Sequence, residues 1–270
     1  MARTERKKDQ DSLASGPDAE WLEFLNNEAP VAGVLGPGRW LVIEYRPTSL
    51  FSLKTSQATS SVGVSLVIPT PYTIKMAFVD AAFRTGVSDD DCERFLRSLV
   101  RMDVRIAPTN AAVVTNTFVR VRQESRDGDP LRPYGSNIAY RELVYLDGIW
   151  LWAFDLAGCD DLAASRVVRL APHVNYVGKR GSFVQFVKSF RLVDLGTRFT
   201  LPLRSDSPHA LPARAHVRQL DDFGPEADLQ TLSSFTNLKP KRDKHRKFVE
   251  TIIPVGLVNT GPGFSEYRTP

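Results

Sequence analysis

The periods of apolar and polar positions change along this chain, and each change marks an element. The first clear strand pattern is Arg39-Trp40-Leu41-Val42-Ile43-Glu44-Tyr45-Arg46, closed by Pro47. A polar loop runs from Thr48 to Ser61 and carries Lys54; loops of this length in a compact domain are usually functional or mobile. Leu66-Val67-Ile68 then leads into Pro69-Thr70-Pro71. Each proline fixes its own φ and keeps the preceding residue extended, so a helix is predicted to open at or soon after Pro71. Ile74, Ala77, Phe78, Ala81 and Ala82 then form one apolar stripe at helical spacing. Ser88 is placed to cap a second helix with acidic residues Asp89, Asp90 and Asp91 in its first turn. Its apolar stripe is Cys92, Phe95, Leu96, Leu99 and Val100, with Arg94, Arg97 and Arg101 off it as a solvated face.

Period two returns at Ala111 to Arg122 and again at Ile138 to Leu146. Between them lies a polar tip, Gln123 to Asn137, that bears Arg126, Arg132 and Tyr134. The two runs are predicted to pair as one long hairpin whose tip is too polar to bury. Arg120 and Arg122 share a face by alternation, and Arg141 lies on the returning arm. Asp147-Gly148 is a turn signal. Ile149 to Phe154 reads as a central strand, and Asp160 to about Ala171 as a helix with Ala163, Val167 and Leu170 inward. Asn175-Tyr176-Val177-Gly178-Lys179-Arg180-Gly181-Ser182-Phe183 precedes a strand from Phe183 to Val193.

The order strand, helix, strand, strand, helix, strand predicts an α+β, ferredoxin-like domain. Residues 1–20 read as a disordered tail, with a short helix from Trp21 to Leu25. The domain spans 21–193 with the hairpin at about 113–146, and 194–270 forms a smaller C-terminal β-rich extension. That extension holds the most basic run, Lys239 to Lys247, followed by a strand from Phe248 to Val258 that Pro254 confines to a sheet edge.

Composition narrows the classes. The 270 residues are 42% apolar and 24% charged, as in a soluble globular protein. No run approaches the roughly 20 apolar residues of a membrane span, and the polar stretch Met1 to Asp18 reads as neither signal peptide nor anchor. The net charge of +4 does not by itself demand a nucleic acid. The two cysteines, Cys92 and Cys159, offer neither a disulfide framework nor zinc spacing, which suits a reducing cytoplasm. The four histidines sit in no metal motif, and no cofactor loop or nucleophile elbow is present.

Two stretches carry candidate chemistry. Tyr72, Thr73 and Lys75 flank a helix start, where free N–H groups, a hydroxyl and an ammonium suit a phosphate. Gly178 and Gly181 flank Lys179-Arg180, so a backbone and two cations could meet a ligand together. An ordinary helix entry and a basic surface turn account for the same residues. His173, Tyr176 and Lys179 form the one cluster with acid–base potential, suited to metal-free RNA cleavage or equally to a phosphate-binding turn.

The extended Ile68-Pro69-Thr70-Pro71-Tyr72-Thr73 opening the first helix is similar to the Pro-x-Pro-Ser/Thr signature of the Cas-five family of CRISPR effector subunits. The turn Tyr176 to Ser182 resembles that family's glycine-rich landmark, and the long hairpin sits where the family carries its thumb. The resemblance covers about Arg39 to Val193. It implies an RNA-recognition-motif-like RAMP-superfamily subunit of a type I, Cascade-like surveillance complex in antiviral defence. Such a subunit is non-catalytic, needs no cofactor or metal, binds the 5′ handle of the CRISPR RNA and caps the backbone filament. Its partners would be that RNA, the backbone and large subunits and, through the complex, target DNA, with no membrane. Carried onto this chain, Lys54, Thr73, Lys75, Lys179, Arg180 and Ser182 would hold RNA, Arg120, Arg122 and Arg141 would lie on the thumb, and Tyr72 would stack on a base. Two alternatives remain at this point: a metal-free CRISPR-repeat endoribonuclease using His173, Tyr176 and Lys179, and a structural interaction subunit independent of RNA.

Overall fold

The computed structural model describes residues 38–55, 62–124, 134–203, 214–233 and 236–270. The expected tail, the helix from Trp21 to Leu25 and the tip arginines Arg126 and Arg132 lie outside the described residues. In chain order, strand β1 (Trp40–Pro47) and the short β2 (Val62–Gly63) precede helices α1 (Pro71–Arg84) and α2 (Asp89–Arg101). Strands β3 (Val104–Ala107), β4 (Ala111–Glu124), β5 (Tyr134–Asp147) and β6 (Trp150–Asp155) follow. Helix α3 (Asp161–Leu170) and strand β7 (Val184–Leu192) come next. The remainder holds β8 (Leu201–Pro202), β9 (His216–Phe223), β10 (Arg246–Ile253), β11 (Gly256–Gly261) and β12 (Phe264–Arg268). The architecture is mixed α/β with antiparallel sheets.

The central sheet runs β3-β6-β1-β7, every neighbour antiparallel. β1 is apolar on both faces because both are covered. Leu41, Ile43 and Tyr45 face the main core with the helices, and the Tyr45 hydroxyl donates to the Ala171 carbonyl at 2.7 Å. On the opposite face Trp40, Val42, Ala107 and Ala153 are sealed by Phe199. The segment carrying Phe199 is tied down where Thr200 N–H donates to the Ile106 carbonyl at 2.8 Å and Thr200 Oγ1 accepts from Ile106 N–H at 3.0 Å.

The helices start where their caps dictate. Ser88 accepts from Asp91 N–H, and Asp160 accepts from Ala163 N–H at 2.7 Å. Their buried stripes match the predicted ones: Cys92, Phe95, Leu96 and Leu99 on α2, and Ala163, Val167 and Leu170 on α3.

Three features differ from the sequence reading. The second strand of the central sheet is β3, only four residues between α2 and Pro108, too short to stand out as a pattern. The hairpin therefore does not supply that strand. β4 and β5 pair with each other from Ala111↔Asp147 to Glu124↔Tyr134 and belong to a separate sheet, β11-β12-β4-β5-β2. The edge strand expected from Phe248 to Val258 is two strands, β10 and β11, parted at Pro254, which offers no N–H to a ladder. β12 pairs with β4, while β9 and β10 form a third sheet with β8, so the C-terminal part extends the hairpin's base.

Candidate nucleic-acid interface

The start of α1 is closed to a ligand by its own side chains. Thr70 and Thr73 form a reciprocal capping box: Thr73 N–H donates to Thr70 Oγ1 at 3.2 Å and Thr70 N–H donates to Thr73 Oγ1 at 2.9 Å. Lys75, expected to hold a phosphate, is fully buried, and its Nζ lies 2.7 Å from Asp222 Oδ1 on β9. Burial pushes its pKa below the usual lysine value, against the opposing pull of Asp222. Tyr72, expected to stack on a base, is flanked by protein instead. Phe223 meets it edge-on at 5.3 Å, and the Arg246 guanidinium lies 4.5 Å from its ring centre. Burial raises the Tyr72 pKa, with the Arg246 charge working the other way. The correction has one cause: β9 and β10 pack onto the head of α1, where Asp222 of β9 pairs with Lys75 and Arg246 of β10, itself held by Asp221, covers Tyr72.

The glycine-rich turn keeps its cations outward. Gly178 and Gly181 take positive φ of 75° and 97°, and Ser182 N–H donates to the Lys179 carbonyl at 3.0 Å. Lys179 and Arg180 are exposed at its tip. Ser182 is buried, and its Oγ accepts from Ser52 N–H at 3.2 Å, so it pins the 48–55 loop and is not placed to meet RNA. Ser49 Oγ completes the dock, donating to the Gly181 carbonyl and accepting from Phe183 N–H, each at 2.6 Å. Lys54 is exposed beyond this dock, in a bridge with Ser65. The turn thus binds the 49–52 stretch, whereas the head of α1 binds β9 and β10; the two landmarks do not share one phosphate site.

The hairpin presents the most open chemistry. Directly opposed residues of an antiparallel pair point to the same face. The register places Phe118 with Tyr140, Arg120 with Ile138, and Arg122 with Ser136 on one face, and Glu124 with Tyr134 at its outer end. Phe118 is 73% exposed, Ile138 72% and Tyr134 65%. The Phe118 and Tyr140 rings meet edge-on at 5.7 Å. Arg141 pairs with Thr117 and so lies on the other face, where its Nη1 donates to the Tyr140 carbonyl at 2.9 Å. The aromatic members Phe118 and Tyr140 are absent from the sequence-based site; alternation counted from Arg120 places Phe118 on its face, and the strand register adds Tyr140.

No protein-family model matches the chain. A curated relative is CRISPR-associated protein Cas5 of Archaeoglobus fulgidus, 21% identical over 207 residues, covering 76% of this chain and 86% of that protein. The chain is thus similar in sequence to a Cas5 protein over about three quarters of its length. Among solved structures, a CRISPR protein from Archaeoglobus fulgidus aligns with a TM-score of 0.44 at 11% identity, over 86% of this chain and 92% of that one. A chain of a CRISPR RNA-guided surveillance complex aligns with a TM-score of 0.38 at 14% identity, over 79% and 88%.

Half of the lysines and arginines in the basic run are paired with carboxylates outside it. Lys244 pairs with Glu226 at 3.0 Å, Arg246 with Asp221, and Lys247 with Asp222 at 3.5 Å. Lys239, Lys241 and Arg242 stay exposed. His173 sits at the far end of α1, where its carbonyl accepts from Arg84 at 2.7 Å. Burial, then Arg84, lowers the imidazole pKa. Tyr176 bridges Phe183 at the base of the glycine-rich turn, and Lys179 is exposed at its tip. Among the described residues no group of three or more His, Cys, Asp and Glu side chains is placed to hold a metal, and no helix is long and apolar enough to cross a membrane.

Proposed function

We propose that this chain is a non-catalytic subunit of a Cascade-type CRISPR surveillance complex and that it grips single-stranded RNA, the 5′ handle of the CRISPR RNA, on the exposed face of the β4–β5 hairpin. The observation that carries this reading is the alternation of bare aromatic and apolar side chains with Arg120 and Arg122 on one face. Unstacked bases pack on rings while guanidiniums take phosphates, the usual way proteins hold single strands. Kinship with Cas5 supports the CRISPR setting. The hairpin is then the thumb. The β3-β6-β1-β7 order, with helices on one side, supports a ferredoxin-like core. The sheet face that RNA-recognition modules use is sealed here by Phe199, which favours the hairpin as the RNA surface. Lys179, Arg180 and Lys54 add exposed charge near the hairpin's base.

The test is a salt titration of labelled handle RNA against the wild type, R120A/R122A and K179A/R180A. Each lost phosphate contact on a single strand flattens the slope of log K against log salt by about 0.7. R120A/R122A is expected to weaken binding and flatten the slope by roughly 1.4. Unchanged affinity and slope in that variant would refute the hairpin assignment.

A further inference from the structure

The hairpin face does not stop at Phe118. Its next pair inward is Asn116 with Glu142, and these form the floor of a cleft of about 440 Å³ together with Ser265. His216 and Arg218 of β9 and Tyr267 of β12 also line it. The exposed face and the cleft floor are therefore one surface, since 116, 118, 120 and 122 alternate to the same side of β4. From Asn116 to Arg122 that surface runs about 20 Å. The cleft volume lies at the low end of the roughly 300–1,000 Å³ typical of small-ligand sites, enough for one nucleotide and not for a stacked pair.

The lining is biased toward acceptors at its inner end. Glu142 can only accept when ionised; its Oε2 takes Ser65 N–H at 2.7 Å and its Oε1 takes the Tyr140 hydroxyl at a long 3.4 Å, which leaves one further lone pair on each oxygen. His216 Nδ1 lies 3.1 Å from the Val255 carbonyl, which can only accept, so Nδ1 carries the proton and Nε2 is an acceptor in the neutral ring. Burial lowers the His216 pKa and keeps the ring neutral. Asn116 supplies both donor and acceptor, Arg218 a cation for phosphate, and Tyr267 an aromatic wall.

We propose that this cleft receives one unpaired nucleotide with an amino-bearing base (adenine, guanine or cytosine) at the inner end of an RNA strand laid along the hairpin face. Uracil offers the Glu142 and His216 acceptors only its single N3–H, where an exocyclic amine offers two donors, and so fits less well. The inference rests on the RNA-binding reading above and adds to it a site built partly from the C-terminal strands.

Short oligoadenylate and oligouridylate of equal length are titrated by fluorescence anisotropy against the full chain and three variants. Ser265→Trp fills the cleft floor; Arg218→Ala removes an exposed side chain and leaves the fold untouched; R120A/R122A strips the hairpin. The wild type is expected to prefer oligoadenylate. Ser265→Trp should cut oligoadenylate affinity about tenfold and spare oligouridylate, because a base contact is lost. Arg218→Ala should flatten the salt slope by about 0.7 for oligoadenylate. Adenosine monophosphate, titrated by calorimetry, distinguishes the source: uptake abolished by Ser265→Trp without oligoadenylate binding assigns the cleft to a free nucleotide and overturns the strand. If both cleft variants bind oligoadenylate as wild type does while R120A/R122A loses it, the cleft assignment falls and the hairpin reading stands. If the wild type binds neither oligonucleotide nor adenosine monophosphate, both fall.

Discussion

Asp222 is the most exacting place to perturb this structure. Its carboxylate meets fully buried Lys75 at 2.7 Å and half-exposed Lys247 at 3.5 Å. Asp222→Ala leaves Lys75 as an unpaired charge in the core, which typically costs about 3–5 kcal/mol. At about 2–4 °C per kcal/mol for a chain of this size, the melting temperature should fall by roughly 6–20 °C. Lys75→Met/Asp222→Leu removes both charges and fills the same space, so it should recover most of the loss. The pH dependence separates a buried charge from a mere packing defect. Burial holds the folded-state pKa of Lys75 below its unfolded value of about 10.4. The folded state therefore binds fewer protons between those two values, and stability rises with pH across that window. In Asp222→Ala the folded pKa drops further, the window widens downward, and the variant should regain stability on alkalinisation faster than the wild type. Lys75→Met must lack this component. Urea melts across neutral to alkaline pH measure all four proteins. An Asp222→Ala chain within 1 kcal/mol of wild type, or one whose pH profile parallels that of Lys75→Met, would refute the reasoning.

Thr70→Ala removes one half of the α1 capping box and should cost about 1 kcal/mol in urea melts, within the usual range for N-caps. Gly178→Ala is strained twice, by a φ of 75° and by a Cβ placed 3.1 Å from Leu53 Cδ1, and should destabilise by about 1–2 kcal/mol while loosening the 48–55 loop to proteolysis. Burial pushes the Cys92 thiol up to about 12, and the residue is inaccessible, so native alkylation at pH 8 should reach Cys159 first; equal rates by mass spectrometry would contradict the core placement.

What was legible in the sequence was everything local. The caps at Ser88 and Asp160, the stripes of α2 and α3, and both arms of the hairpin follow from period and turn chemistry within a dozen residues. β3 was not legible, because four residues carry too little pattern to compete with a neighbouring helix. The roles of Lys75 and Tyr72 were misread for a different reason. Their local setting is that of an anion site, and the groups that occupy them, Asp222 for Lys75 and Arg246 for Tyr72, lie 147 and 174 positions further along. No period or spacing links such positions; only the folded sheet does.

That misreading reassigns the work within the molecule. A cation at a helix head serves a ligand only while no carboxylate of the chain reaches it, and here β9 brings Asp222 to Lys75. The cost of burying Asp222 and Lys75 is offset by their pairing, so the head of α1 becomes a joint between the core and the C-terminal strands. The same strands then close one side of the cleft through His216 and Arg218. On the proposed reading, recognition falls to the hairpin and its base, where aromatic and basic side chains stay exposed. It follows that stability and RNA binding should separate by mutation: Asp222→Ala should lower the melting temperature with little change in RNA affinity below that temperature, and R120A/R122A should do the reverse. A joint loss of both properties in either variant, measured by melting and anisotropy on the same samples, would mean that the head of α1 and the hairpin face act as one site after all.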